Sequence, residues 1–191
     1  MNHLRRKHKE TRFTNRAEII DVSWIWNVDT LRRFVKVYSW EPAVVKLGLD
    51  EGFLDGKDVV SLELERYSEL PALSQPEEAL ALLLSDAVEE VPSLLGRACE
   101  EASGLQDPLR VWMFVGLSQV REHWGQISEP WSTVSVLVDH LDAGEDYLAL
   151  LPYWPAGGRP TGPAAMLSRL DERLAIDNAT VNTSPLDLEK E

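Results

Sequence analysis

Apolar and polar positions follow helical spacing through most of this chain. From Asp29 onward, Leu31, Phe34, Val35 and Tyr38 recur at i, i+3, i+4 and i+7, which places them on one helical face. Ser39 to Glu51 predicts a second helix, with Pro42 tolerated in its first turn and Gly52 as its stop. Asp55 caps a third helix through about Tyr67, with Asp58 near the positive end of its dipole. Ser74, followed three residues later by Glu77, forms a capping box ahead of the apolar run Ala79 to Leu84. Pro92 opens a helix through Ala102 that Gly104 ends. Asp107 and Pro108 start one that Gly125 terminates, and Ser128 with Pro130 starts another. A short helix follows in "EDYLALL", with Asp142, Glu145 and Asp146 read as its acidic cap. The last helix runs from Pro163 to about Ala175, with Leu167, Leu170 and Leu174 on one side.

One stretch departs from this period. Ile20, Val22, Trp24 and Trp26 alternate as a strand would, but no second strand pattern exists to pair with them. The fold class is therefore all-α: an irregular multi-helix bundle of seven to eight helices, with stacked helix pairs as the variant. Residues 1–16 read as a disordered basic arm, 17–176 as a single helical domain and 177–191 as a loose polar tail.

Charge sharpens this picture. The chain has 191 residues and a formal net charge of −13. Residues 1–16 hold six basic side chains against Glu10, so the remaining 175 residues carry −18. Such a body repels phosphate backbones and anionic membrane, which argues against nucleic-acid binding by the folded part and favours a basic partner. Cys99 is the only cysteine, so no intrachain disulfide can form. The basic N-terminus lacks a following apolar segment of the secretory type, and no apolar run is long enough to span a bilayer. The expected location is the cytoplasm.

Candidate chemistry is sparse. His123, His140 and the carboxylates Glu122, Asp139, Asp142, Glu145 and Asp146 form the region richest in His and acid. Zinc-binding histidines on one helix sit four apart, whereas these two lie seventeen apart on different predicted helices. Asp142, Glu145 and Asp146 are read first as helix caps, and no metal or cofactor is expected. Cys99 shares a face with Leu95, and the neighbouring Glu100 and Glu101 would raise its thiol pKa, which disfavours a nucleophile. "PAGGRPTG" has glycines but lacks the Gly-Lys-Ser/Thr ending of a phosphate loop. Among the seven tryptophans, Trp112 joins Leu109 and Val115 on a core stripe. Trp40, Trp124 and Trp131 are read as turn staples whose indole N–H groups reach backbone carbonyls. Tyr153 and Trp154 lie in a loop between prolines, where an aromatic contact with a partner would be well placed.

Two stretches resemble a bacterial family, domain-of-unknown-function family 2247. "YSWEPAVVKLGLDEGFLDGKDVVSLELERY" has its Trp-led helix, its Gly-aromatic-Leu turn at Gly52, Phe53 and Leu54, and its Asp-Val-Val helix. "VWMFVGLSQVREHWGQISEPWSTVSVLVDHLDAGEDYLALLPYWP" is similar to its Trp-rich helix and closing aromatic-x-Pro segment. The resemblance spans about residues 38–175. Where the family has an Asp-Phe-Asp-Tyr-Pro run, this chain has Asp139 to Gly144, without the aromatic and the proline. The resemblance implies a small acidic helical protein. Some families of this kind are thought to supply immunity proteins against secreted toxins, and a toxin domain would be the basic partner.

The expectation is thus a protein-binding module and not an enzyme, with Asp139, Asp142, Glu145, Asp146, Tyr153, Trp154 and Arg159 as the partner-binding residues. The alternative is a small-molecule binder or hydrolytic enzyme with a pocket near His123, His140 and Arg159.

Overall fold

A computed structural model of the chain describes residues 21–69, 73–84, 87–102, 104–153 and 162–181. Nine α-helices and no strand occur among the described residues, an all-α multi-helix bundle. They are α1 (Val28–Tyr38), α2 (Pro42–Asp50), α3 (Gly56–Glu69), α4 (Gln75–Ala81), α5 (Val91–Glu101), α6 (Pro108–Glu122), α7 (Pro130–His140), α8 (Glu145–Leu148) and α9 (Pro163–Val181). None of them is long and apolar enough to cross a membrane.

The capping signals act largely where the sequence places them. Asp107 accepts the N–H groups of Leu109 and Arg110 at the start of α6. Glu77 accepts the Ser74 N–H at 2.8 Å, the reciprocal half of the capping box of α4. The start of α7 differs: its N-cap is Glu129, not Ser128, and the Glu129 carbonyl takes both the N–H and the hydroxyl of Thr133.

The strand-like alternation also resolves differently. Ser23–Trp26 is a single 3₁₀ turn. With no strand partner for its backbone, the segment coils and sends Ile25 fully into the core while Trp26 stacks on Phe53 at 4.3 Å.

The centre of the bundle is α6, packed against α2, α7 and α9. On the other side α3, α4 and α5 pack in sequence, and α2 bridges α5 to α6. Trp112 is fully buried at this junction, and its indole N–H donates to the Val44 carbonyl of α2 at 2.8 Å. The two helices approach closely because α2 carries Gly48 there: a Cβ on it would stand 2.2 Å from Cζ2 of Trp112.

The tryptophan staples need correction. Trp40 is fully buried edge-on to Trp112, and its indole N–H has no hydrogen-bond partner among the described residues. Trp124 and Trp131 pack edge to face at 4.8 Å. The indole that reaches a backbone carbonyl across helices is that of the core residue, Trp112.

The helix α9 runs to Val181, past Asp177, where the sequence suggests a loose tail. Its inward face is Met166, Leu170, Arg173, Asp177 and Val181, so two charged residues continue the apolar stripe.

Candidate functional site

The last turn of α7 sets the geometry of the acidic edge. Leu137, Val138, Leu141 and Ala143 are buried, so the residues between them, Asp139, His140 and Asp142, are left at the surface. The helix ends in a left-handed residue, Asp142, at φ +47°. The Ala143 N–H then bonds the Val138 carbonyl at 3.0 Å and the Asp142 N–H bonds that of Asp139 at 3.3 Å. Aspartate tolerates this conformation better than most side chains, so the same residue closes the helix and adds a surface charge.

The one-turn α8 repeats the partition. Tyr147, Leu150 and Leu151 are buried, while Glu145 and Asp146 in its first turn are exposed. Tyr153 follows with 67% of its surface exposed. Five of the seven residues expected to bind a partner are thus surface residues within one stretch. Trp154 and Arg159 lie outside the described residues.

Beneath this edge is a buried polar lock that the sequence reading missed. Asp177, fully buried, accepts the Tyr147 hydroxyl at 3.1 Å and Arg173 Nε at 3.0 Å, and pairs with Arg173 Nη2 as well. The Arg173 guanidinium lies 4.9 Å from the centre of the Tyr147 ring, and its Nη1 reaches Asp146 at 3.3 Å. Burial, followed by the Asp177 charge, pushes the Tyr147 hydroxyl well above its usual range. The signal was present: 166, 170, 173, 177 and 181 keep helical spacing straight through the charged pair.

A second buried cluster joins α3 to α4. Arg66 Nη1 bonds both Glu63 oxygens at 3.0 and 2.8 Å, and Nη2 meets Glu77 at 2.8 Å. Two carboxylates share one guanidinium. Burial pushes Glu63 up to about 6 against the pull of Arg66, with the Glu77 charge adding to the rise. Burial would also raise Glu77, but its bonds from Ser74 and the Arg66 charge bring it below the usual carboxylate range.

The two histidines face separate aromatic partners. The His123 ring meets Trp24 edge-on at 5.4 Å and its Nδ1 lies 3.0 Å from the Gln119 carbonyl, while His140 lies 5.3 Å from Phe53. Among the described residues no group of three or more His, Cys, Asp or Glu is placed to hold a metal ion. Cys99 is half-buried and its thiol pKa is raised, as the sequence suggests, though by a different cause. Burial dominates, and the carboxylates that add to it are Asp50 and Glu77, opposed by Lys46, in place of Glu100 and Glu101.

A cleft of about 390 Å³ opens between α8 and α9, beside Glu145 and Asp146. It is bounded on the α9 side by Arg169, Glu172, Arg173 and Ile176.

The family model for uncharacterised proteins conserved in bacteria, DUF2247, matches residues 32–178. The chain belongs to the DUF2247 family. The match begins within α1 and runs past the lock residue Asp177, and so covers both the acidic edge and its buried support. No curated protein and no solved structure matches the chain.

Proposed function

We propose that this DUF2247 protein is a cytoplasmic protein-binding module that works without catalysis. In this reading its acidic edge engages a basic protein. The sharper form makes that partner a toxin domain and the chain its immunity protein. The observation that carries the reading is the run of four exposed carboxylates, Asp139, Asp142, Glu145 and Asp146, ending near the exposed Tyr153. A surface of one sign steers an oppositely charged partner and raises its association rate, and an exposed aromatic beside it adds contact area.

The lock under α8 supports this use. Charged groups held in a fixed frame lose less freedom on binding, and the buried Tyr147 ties α8 to α9 through Asp177. Asp139→Asn with Asp142→Asn is expected to slow association with a basic partner and to flatten its dependence on salt. The test is a pull-down with the product of the adjacent gene, followed by rescue of cells expressing that product. Absence of both capture and rescue sinks the immunity reading. Salt-insensitive binding to any partner sinks the electrostatic one.

A further inference from the structure

The cleft between α8 and α9 gives the acidic edge a depth that surface carboxylates alone do not have. Its volume, about 390 Å³, lies at the small end of ligand pockets. One wall brings Glu145 and Asp146, with Leu150 behind them, and the other brings Glu172 and Ile176. We propose that this cleft receives one basic side chain, an arginine or lysine, of the protein partner. This rests on the acidic-edge reading and assigns the point at which the partner is anchored.

Three features select a cation with an apolar stem. The first is charge. Glu145, Asp146 and Glu172 line the cleft and Asp177 lies behind Arg173, so four carboxylates stand against the guanidiniums of Arg169 and Arg173. An incoming anion would meet this excess, and an incoming cation offsets it.

The second is which acids are already engaged. Arg173 is held by Asp177 and Asp146 and fixed over the Tyr147 ring. Among the described residues Glu145 and Glu172 join no salt bridge, and Glu172 takes only a hydrogen bond from Ser168 Oγ at 3.3 Å. One such carboxylate on each wall is ready to accept charge-assisted hydrogen bonds.

The third is apolar surface. Ile176 is 53% exposed on the α9 wall, facing a side whose floor is the buried Leu150. A bare ammonium or metal ion would have no use for it. The methylene stem of a long basic side chain would cover it while its charged head meets the carboxylates.

The test compares three double variants that each remove two negative charges. Glu145→Gln/Glu172→Gln alters the cleft, Asp139→Asn/Asp142→Asn alters the edge outside it, and Glu100→Gln/Glu101→Gln is a matched control on α5, where both acids are exposed. The probe is fluorescein-labelled octa-arginine, followed by anisotropy at low ionic strength, with circular dichroism confirming that each variant is folded. The cleft pair is expected to weaken binding about tenfold, and the control pair by much less. In parallel, butylguanidinium is expected to shift amide resonances around Glu145 and Glu172 in the wild type and not in the cleft pair. If the edge pair weakens octa-arginine but the cleft pair matches the control, the anchor is wrong and the acidic-edge reading stands. If neither pair differs from the control, both fall. Butylguanidinium shifts spread evenly over the acidic surface would also overturn the anchor.

Discussion

The Tyr147 hydroxyl donates to the Asp177 carboxylate at 3.1 Å, joining the one-turn α8 to the last third of α9 in the protein interior. The same carboxylate is the main counter-ion of Arg173. Removing one member therefore leaves another short of a partner in low dielectric. Asp177→Ala is expected to cost about 3–5 kcal/mol, because it leaves the buried guanidinium with only the exposed Asp146 as counter-ion. Tyr147→Phe loses one hydrogen bond to a charged acceptor and should cost about 1.5–3 kcal/mol. Urea unfolding of both variants checks the order, and a smaller loss for Asp177→Ala than for Tyr147→Phe would refute it.

Glu63 gives stability a pH dependence of unusual sign for a carboxylate. Its folded pKa, about 6, lies above the ordinary value of 4.5, so the folded state binds its proton more tightly than the unfolded state. Its contribution is complete below about 4.5 and is lost as pH rises through about 6. Glu77 is shifted the other way and contributes above its unfolded pKa, losing that contribution as pH falls. Glu63→Gln cannot titrate and leaves Arg66 paired with Glu77 alone. Relative to this variant, the wild type is expected to lose about 2 kcal/mol between mildly acidic and neutral pH. Unfolding midpoints across that range read the difference directly, and a constant offset would exclude the coupling.

Gly48→Ala is expected to destabilise the bundle although alanine favours helices. The added methyl would meet the Trp112 ring, which is fully buried and tethered through its N–H to Val44, so the ring has little freedom to yield. Overpacking of about 1–3 kcal/mol exceeds a propensity gain of about 1 kcal/mol. Gly96→Ala, with open space around its Cβ, is the matched control and should be neutral or stabilising. Thermal melts of the two variants separate steric conflict from propensity.

Cys99 should react slowly with thiol reagents. Burial raises its pKa, and of the nearby charges Lys46 lowers it while Asp50 and Glu77 raise it. Modification by a chromogenic disulfide at mildly alkaline pH is expected to run below the rate of free cysteine in the native protein and to reach it on unfolding. A native rate above that of free cysteine would point to an activated thiol.

How much of this was legible in sequence depends on whether a residue's environment is local. Caps and apolar stripes are local, so Asp107, the Ser74–Glu77 box and the stripe through Trp112 were readable from spacing. Spacing puts Arg173 and Asp177 on the inward face of α9, but their burial, like that of Glu63 and Arg66, was not readable, because a charged residue enters a core only when its partners arrive with it. Those of Asp177 include Tyr147, thirty positions away, and Arg66 needs Glu77 from another helix. The start of α7 fails for a different reason: Ser128 has the side chain of a cap, but the chain enters the helix one residue later, at Glu129. At the acidic edge the alternation of buried and exposed positions was readable, while the cleft beside it needed α9 in place.

The position of Asp177 also decides where the protein can be shortened. A cut after residue 176 would keep the apolar face of α9 except Val181 and remove only the last, largely polar turn of the helix. It would also discard the carboxylate that neutralises Arg173 and holds Tyr147. The trimmed chain would leave Arg173 with only the exposed Asp146 as counter-ion beneath α8 and is expected to be a poor candidate for crystallisation, whereas one ending beyond Val181 retains the full lock.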